Sequence, residues 1–284
     1  MDTSCNQQTK QYGLIGYPVK HSISPVIHNS IFTARQLNAR YMTLAIPPQH
    51  LSACLPLLRE NFSGFNVTIP HKEAIMEYLD AIDQSALLCG AVNTVKNDNG
   101  RLTGYNTDSF GFIKTFDHYG LDAADKKVLL IGAGGGARGA LVELLRRNCA
   151  VTIVNRTPDR AHKLATELAG RFPGTTTVLP VAKVSGAYDI LVNTTPVGMA
   201  PETAALPFRL EQLESIRIVY DFIYNPFETS LLSAARQAGL TCINGLPMLL
   251  YQAVAANSIW TGLPLDEQLN RNLYSDLVAY MKTL

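Results

Sequence analysis

A chain of 284 residues exceeds the usual single-domain span of about 100–200, so two domains or one large one are expected. With 47% hydrophobic and 17% charged residues, the composition excludes a disordered chain. A formal net charge of +1 with scattered Lys and Arg offers no basic stripe for a phosphate backbone, which argues against nucleic acid as a partner.

In chain order, Met1 to Lys10 is polar and lacks the basic-then-apolar run of a signal peptide, which points to the cytoplasm. Tyr12–Ile15 reads as a strand, Pro25–Gln36 as a helix, Arg40–Ala45 as a strand, Leu51–Asn61 as a helix and Phe65–Ile69 as a third strand. Alternation along that last strand puts Phe65, Val67 and Ile69 on one face and the polar Asn66 and Thr68 on the other. Pro70 suits the first turn of a following helix, so Lys72 is expected near a helix N-terminus. Ala91–Tyr105 carries Asp98-Asn99-Gly100, a hairpin turn signal, and Ser109–Tyr119 reads as a linking helix.

A second series of apolar runs follows: Val128–Ile131, Val151–Val154, Ile190–Val192, Ile218–Asp221 and Thr241–Asn244, separated by helical patterns. Gln237–Leu265 is uncharged, but Pro247, Gln252, Asn257, Ser258 and Pro264 interrupt it, so it reads as a buried amphipathic helix and not a membrane span. The fold class is α/β, with two α/β domains of which the second is a Rossmann-type doubly wound parallel sheet. The boundary is expected near Asp108, with the chain after Gly245 returning to the first domain. Residues 1–107 plus 246–284 then form a substrate-binding catalytic domain, 108–245 the nucleotide-binding domain, and the active site is expected in a cleft between them. The five cysteines, Cys5, Cys54, Cys89, Cys149 and Cys242, form no C-x-x-C pair and read as reduced, mostly buried thiols. His21 and His28 are read as packing or capping residues, and no metal site is expected.

After the strand Val128–Ile131 comes Gly132-Ala133-Gly134-Gly135-Gly136-Ala137, a G-x-G-x-x-A fingerprint in its proper strand-to-helix context. Gly132 permits the tight turn, Gly134 lets the backbone approach a pyrophosphate, and Ala137 is small enough for close helix packing, while the helix N-terminus offers N–H groups to the anion. About 20 residues on, NAD-binding proteins carry an acidic residue for the ribose 2′-hydroxyl. Here Asn155-Arg156-Thr157 stands instead, with Arg160 close behind. A guanidinium suits a 2′-phosphate, so NADP(H) is the cofactor expected. Asp159 between the two arginines would partly neutralise the pocket.

Hydride transfer to a carbonyl needs a group that gives and takes the hydroxyl proton. A lysine at a helix N-terminus would have its pKa lowered from about 10.4, whereas an adjacent Asp108 would favour the charged form, and the sequence does not decide which effect dominates.

Several segments in order resemble the shikimate dehydrogenase family: Ser22-Ile23-Ser24-Pro25 with His28-Asn29, Asn66-Val67-Thr68-Ile69-Pro70-His71-Lys72, Gly90-Ala91-Val92-Asn93-Thr94, Asn106-Thr107-Asp108, Asn155-Arg156-Thr157, and Gly245-Leu246-Pro247-Met248-Leu249 with Gln252. The resemblance implies reversible NADPH-dependent reduction of 3-dehydroshikimate to shikimate, on the route to chorismate and the aromatic amino acids, by a cytoplasmic monomer or homodimer acting on a small-molecule substrate. It implies Lys72 as acid/base and Asp108 as its partner, which also touches substrate. Ser22 and Ser24, helped by Tyr224, would receive the substrate carboxylate, and Thr68, Asn93 and Gln252 the ring hydroxyls. Gly245, Met248 and Phe222 fall on the cofactor side. Taken singly, Ser22 or Ser24 also suits a helix cap and Asn93 a hairpin. Gly136 replaces an alanine associated with the family, which loosens the phosphate-binding helix by roughly 0.5–1 kcal/mol, and Phe222 stands where another apolar residue is expected. Two rival readings remain: a quinate/shikimate dehydrogenase of broader substrate and cofactor range, and a catalytically inactive nucleotide-sensing protein.

Overall fold

The computed structural model describes residues 5–283; residues 1–4 of the polar N-terminal segment lie outside the described residues. The chain divides into two units, Met1–Gly111 with Leu250–Tyr280, and Phe112–Leu249 with Met281–Leu284. Relative to the boundaries expected from the sequence, residues 108–111 stay with the first unit, and 246–249 and 281–284 go with the second. The crossings after Gly111 and Leu249 fall inside continuous helices, whose hydrogen-bond ladders carry the chain past the strand ends where sequence punctuation suggests a break.

The first unit runs β1 (Lys10–Gly16), α1 (Ser24–Ala34), β2 (Ala39–Ala45), α2 (Leu51–Asn61), β3 (Gly64–Val67), β4 (Ala81–Ile82), α3 (Gln84–Cys89), β5 (Thr94–Asp98) and β6 (Arg101–Tyr105). Its sheet has the order β2-β1-β3-β5-β6-β4. β1 pairs parallel with β2 and β3, whereas β3/β5 and β5/β6 are antiparallel, so this sheet is mixed. The β5–β6 hairpin turns at Asn99 and Gly100, with φ of 51° and 88°; positive φ at both positions matches the right-handed twist of the strands. Neighbouring residues of β1 serve opposite faces: Leu14 packs with Tyr12, Phe32, Tyr41 and Trp260, Ile15 with Leu55, Leu58, Phe65 and Val95. Burial on both faces is why such a strand reads as a continuous apolar run.

Helix α4 (Asp108–His118) leads to the second unit: β7 (Lys127–Ile131), α5 (Gly135–Arg146), β8 (Ala150–Val154), α6 (Pro158–Leu168), β9 (Thr175–Val178), β10 (Gly186–Ala187), β11 (Ile190–Asn193), β12 (Leu213–Glu214), β13 (Ile218–Asp221), α7 (Ser230–Gln237) and β14 (Thr241–Ile243). β10 and β12 form a small separate parallel pair, and the main sheet has the order β14-β13-β11-β7-β8-β9. All its pairings are parallel. Counted within this unit the order is 3-2-1-4-5-6 reversed end to end, the doubly wound arrangement that binds dinucleotides where strand order reverses, at the carboxyl end of β7. Its core gathers Leu129, Ile131, Leu191, Val219, Leu231 and Leu232. The edge strand β9 escapes sequence reading because Thr175–Val178 is short, polar and half exposed.

Helices α8 (Leu246–Thr261) and α9 (Glu267–Met281) complete the chain. No helix among the described residues is long and apolar enough to cross a membrane. Of the cysteines, Cys89 and Cys149 are buried, Cys54 and Cys242 intermediate and Cys5 exposed, fewer buried than the sequence suggested, because Cys5 lies before β1 and Cys54 and Cys242 pack at the margins of the two cores.

Candidate active site

Strand pairing of β3 ends at Val67, and Thr68 adds one more backbone bond, its N–H to the Ile15 carbonyl at 2.9 Å. Beyond it the chain turns outward, so Ile69 is 73% exposed instead of sharing the buried face of Phe65 and Val67. The helix expected at Pro70 is absent. Pro70 and Lys72 lie in turns, and only a short 3₁₀ segment follows at Ala74–Tyr78. Competing partners hold the backbone here: the Lys72 carbonyl accepts from the Val92 N–H at 2.8 Å, and buried His71 donates from Nε2 to the Ile46 carbonyl at 2.7 Å. Lys72 therefore does not stand at a helix N-terminus of its own segment.

That turn instead delivers Lys72 to Asp108. Nζ lies 2.5 Å from Oδ2, with the two side chains 26% and 16% exposed. Asp108 opens α4, where the positive end of the helix stabilises a carboxylate. Its position is over-determined: Asn93 Nδ2 donates to Oδ1 at 2.8 Å, and the Asp108 N–H donates to Asn106 Oδ1 at 3.0 Å. Asn106 is in turn fixed by its Nδ2 bond to the Ala91 carbonyl, 2.9 Å, and Asn93 Oδ1 accepts the Thr107 N–H at 2.8 Å. Residues 36 positions apart in sequence thus form a held cation–carboxylate pair.

Ser22 and Ser24 sit together at the start of α1, Ser22 Oγ donating to Ser24 Oγ at 3.0 Å and accepting the Ser24 N–H at 3.2 Å. The helix N-cap is Ile23, without a side-chain cap bond, so Ser24 is not spent as a cap. Thr68 is half-buried after β3 and Gln252 is buried on α8. Ser22, Ser24, Thr68, Lys72, Asn93, Asp108 and Gln252 all belong to the first unit, whereas Tyr224 belongs to the second. Burial raises the Tyr224 pKa.

In the second unit the Gly-rich turn has the features a dinucleotide requires. Gly132 has φ of 113°, and a Cβ there would lie 2.3 Å from Thr194 Oγ1, so only glycine fits. Gly134 and Gly135 face open space, and Gly134 caps α5 without a side-chain bond, leaving first-turn N–H groups for an anion. Ala137 is buried against the sheet. Ala133 lies within the same turn. At the end of β8, Asn155 Nδ2 donates to the Thr157 carbonyl at 2.8 Å, and Arg156, Thr157 and Arg160 are exposed around the start of α6. These groups fit a pyrophosphate and a 2′-phosphate. The two family departures touch one another: a Cβ at Gly136 would approach the Phe222 ring to 3.3 and 3.4 Å.

Sequence reasoning missed what holds the far side of this unit. Asp221 at the end of β13 is fully buried. It accepts from Asn193 Nδ2 (3.0 Å), the Ile223 N–H (3.1 Å) and Thr229 Oγ1 (2.7 Å), while burial raises its pKa. Asn193 Oδ1 also accepts Thr195 N–H and Oγ1 at 3.1 and 2.7 Å. One buried pair therefore anchors both the Thr194-Thr195 turn, which meets Gly132, and the Phe222–Tyr224 segment. Gly245 and Met248 follow β14; the Gly245 N–H donates to the Ile223 carbonyl at 3.0 Å. An acidic residue closing a strand was the only signal available.

Known proteins resemble this chain over most of its length. Residues 14–95 match the family described as Shikimate dehydrogenase substrate binding domain, and residues 115–199 that described as Shikimate / quinate 5-dehydrogenase. A shikimate dehydrogenase (NADP(+)) of Moorella thermoacetica is 43% identical over 260 residues, 88% of this chain and 87% of that protein. The corresponding protein of Methanocaldococcus jannaschii is 40% identical over 282 residues, 96% and 99% of the two chains. The crystal structure of shikimate 5-dehydrogenase from Thermus thermophilus in complex with NADP(H) and shikimate superposes with a TM-score of 0.85 at 33% identity, covering 94% of this chain and 99% of that one. With its glycine-rich turn, its held lysine–aspartate pair and this extent of similarity, the chain belongs to the shikimate dehydrogenase family.

Proposed function

We propose that this protein is an NADP-dependent shikimate dehydrogenase, reversibly reducing 3-dehydroshikimate to shikimate in the cytoplasm, as a monomer or homodimer. The observation that carries this reading is the Lys72–Asp108 pair, 2.5 Å apart and buttressed by Asn93 and Asn106, in a chain whose relatives carry that name. NADP(H) supplies the hydride. The chain supplies the proton: Lys72 gives one to the carbonyl oxygen during reduction and takes it back from the hydroxyl during oxidation. Asp108 holds the amine against rotation and balances the ammonium charge, so the proton donor is positioned before substrate arrives.

Ser22 and Ser24, with Tyr224, meet the substrate carboxylate. Neutral hydroxyls suit it because several donors stabilise an anion without a buried ion pair. Thr68, Asn93 and Gln252 orient the ring hydroxyls. Arg156, Thr157 and Arg160 receive the 2′-phosphate, the turn Gly132 to Ala137 the pyrophosphate, and Phe222, Gly245 and Met248 flank the nicotinamide end. The direct test follows nicotinamide absorbance with shikimate or quinate, each with NADP⁺ or NAD⁺. Fast turnover with shikimate and NADP⁺ alone is the expected result. Comparable rates with quinate or NAD⁺ replace it by a broader dehydrogenase, and no turnover in any pairing overturns the enzymatic reading.

A further inference from the structure

His28-Asn29 is part of the sequence pattern but has no place in the chemistry above. Both residues serve Tyr41 on β2. The His28 imidazole stacks on the Tyr41 ring, centroids 4.1 Å apart and planes within 3°. Asn29 pairs with the Tyr41 backbone twice, Nδ2 to the carbonyl at 3.0 Å and Oδ1 from the N–H at 2.9 Å. His28 is itself fixed by Asn257 Nδ2, 2.7 Å from Nδ1, and burial lowers its pKa to about 3, so the ring is neutral when it stacks. A tyrosine held at ring and backbone has little freedom to move its hydroxyl.

That hydroxyl joins α1 to the residues around Asp108. Tyr41 is 3% exposed, and its O–H donates to Asn66 Oδ1 at 2.8 Å. On one side Asn29 and His28 tie Tyr41 to α1, the helix that opens at Ser24, where Ser22 donates to Ser24. On the other, Asn66 Nδ2 donates to Thr94 Oγ1 at 2.9 Å, Thr94 Oγ1 to Asn93 Oδ1 at 3.0 Å, and Asn93 Nδ2 to Asp108 Oδ1 at 2.8 Å. From Tyr41 onward every donor points the same way, toward the carboxylate that holds Lys72. Bonds in such a file polarise one another, so loss of one member weakens the rest. The amides of Asn66 and Asn93 do not pass protons along it, so its role is geometric.

Resting on the shikimate dehydrogenase reading, we propose that Tyr41, clamped by His28 and Asn29, is a positioning residue that sets the Ser22–Ser24 pair in register with the Lys72–Asp108 pair. A substrate gripped by its carboxylate at one end then presents its reacting carbon–oxygen bond at the other.

The test is Tyr41→Phe in the full-length protein, which keeps the ring and its stack and removes only the hydroxyl. The expected result is about a tenfold rise in KM for shikimate with a fall in kcat, and an unchanged Kd for NADP⁺ measured by calorimetry, because the cofactor motif lies in the other unit. A merely structural hydroxyl would reduce the active fraction, lowering kcat with both KM values unchanged, and that result overturns the proposal. Should Tyr41→Phe not fold, Thr94→Val breaks the same file and Thr94→Ser restores it. The expected KM rise belongs to Val and its rescue to Ser; equal KM values in both overturn the proposal. Wild-type turnover of shikimate tests the family activity itself, so that reading can stand while the Tyr41 assignment fails.

Discussion

Replacing Gly136 by alanine pits two local effects against each other. Alanine is favoured over glycine in a helix by roughly 0.5–1 kcal/mol, and Gly136 lies in the first turn of α5. The new methyl would lie 3.3 and 3.4 Å from Cε2 and Cδ2 of Phe222, inside the comfortable separation of about 3.5–4.0 Å. The ring has little room to retreat, since it sits tilted against Phe112 and Tyr220 at centroid distances of 5.8 and 5.4 Å, and the Tyr220 hydroxyl is tied to Thr115 at 3.1 Å. Overpacking of this kind costs about 1–3 kcal/mol, so Gly136→Ala alone should destabilise the protein by about 0.5–2 kcal/mol. In a Phe222→Leu background the ring edge is gone and the same substitution should stabilise by about 0.5–1 kcal/mol. The coupling, about 1–3 kcal/mol, is read from a thermal-unfolding cycle as a melting-point difference of roughly 2–5 °C. Additivity within about 0.5 kcal/mol would refute the contact argument and with it the idea that the two family departures compensate one another.

Three further outcomes follow from the site. Lys72→Ala and Asp108→Ala should each lower turnover by roughly 10²–10⁴ while NADP⁺ binding persists; loss of binding in a calorimetric titration would count against their roles. Arg156→Ala should raise the Kd for NADP⁺ about tenfold or more and leave NAD⁺ nearly unchanged, and an equal effect on both cofactors would remove the 2′-phosphate assignment. Asp221 has its pKa raised by burial, so its contribution favours folding at low pH and is lost as pH rises from the ordinary carboxylate value through its raised one. Asp221→Asn should flatten that part of the stability–pH curve. Because an amide N–H then faces the donors Asn193, Ile223 and Thr229 where the ionised carboxylate accepts from all three, it should also cost about 1–3 kcal/mol at pH above the raised value; an unaltered pH profile would refute the argument.

Much of this protein was legible before its structure. The alternating runs gave the α/β class, because a strand buried on both faces must be continuously apolar. Glycine at Gly132 and Arg156 at the end of β8 announced a phosphate-binding turn, since few residues tolerate a φ of 113° and few match a phosphate. Leu51–Asn61 and Ile218–Asp221 have the bounds their patterns suggested. Local rules failed where long-range partners outbid them. Pro70 signalled a helix start, but the Lys72 carbonyl was claimed by Val92 and His71 by Ile46, so the chain turned and took Lys72 to Asp108. β9 carried no periodic signal, and Asp221 showed nothing of its burial. The pairing of Gly136 with Phe222, and of Tyr41 with His28, Asn29 and Asn66, joins residues that no spacing rule relates. Which chemistry is present, and on which kind of element, is written locally along the chain; which side chains meet is set by the folded whole, because hydrogen bonds and packing contacts are satisfied across strands and helices distant in sequence.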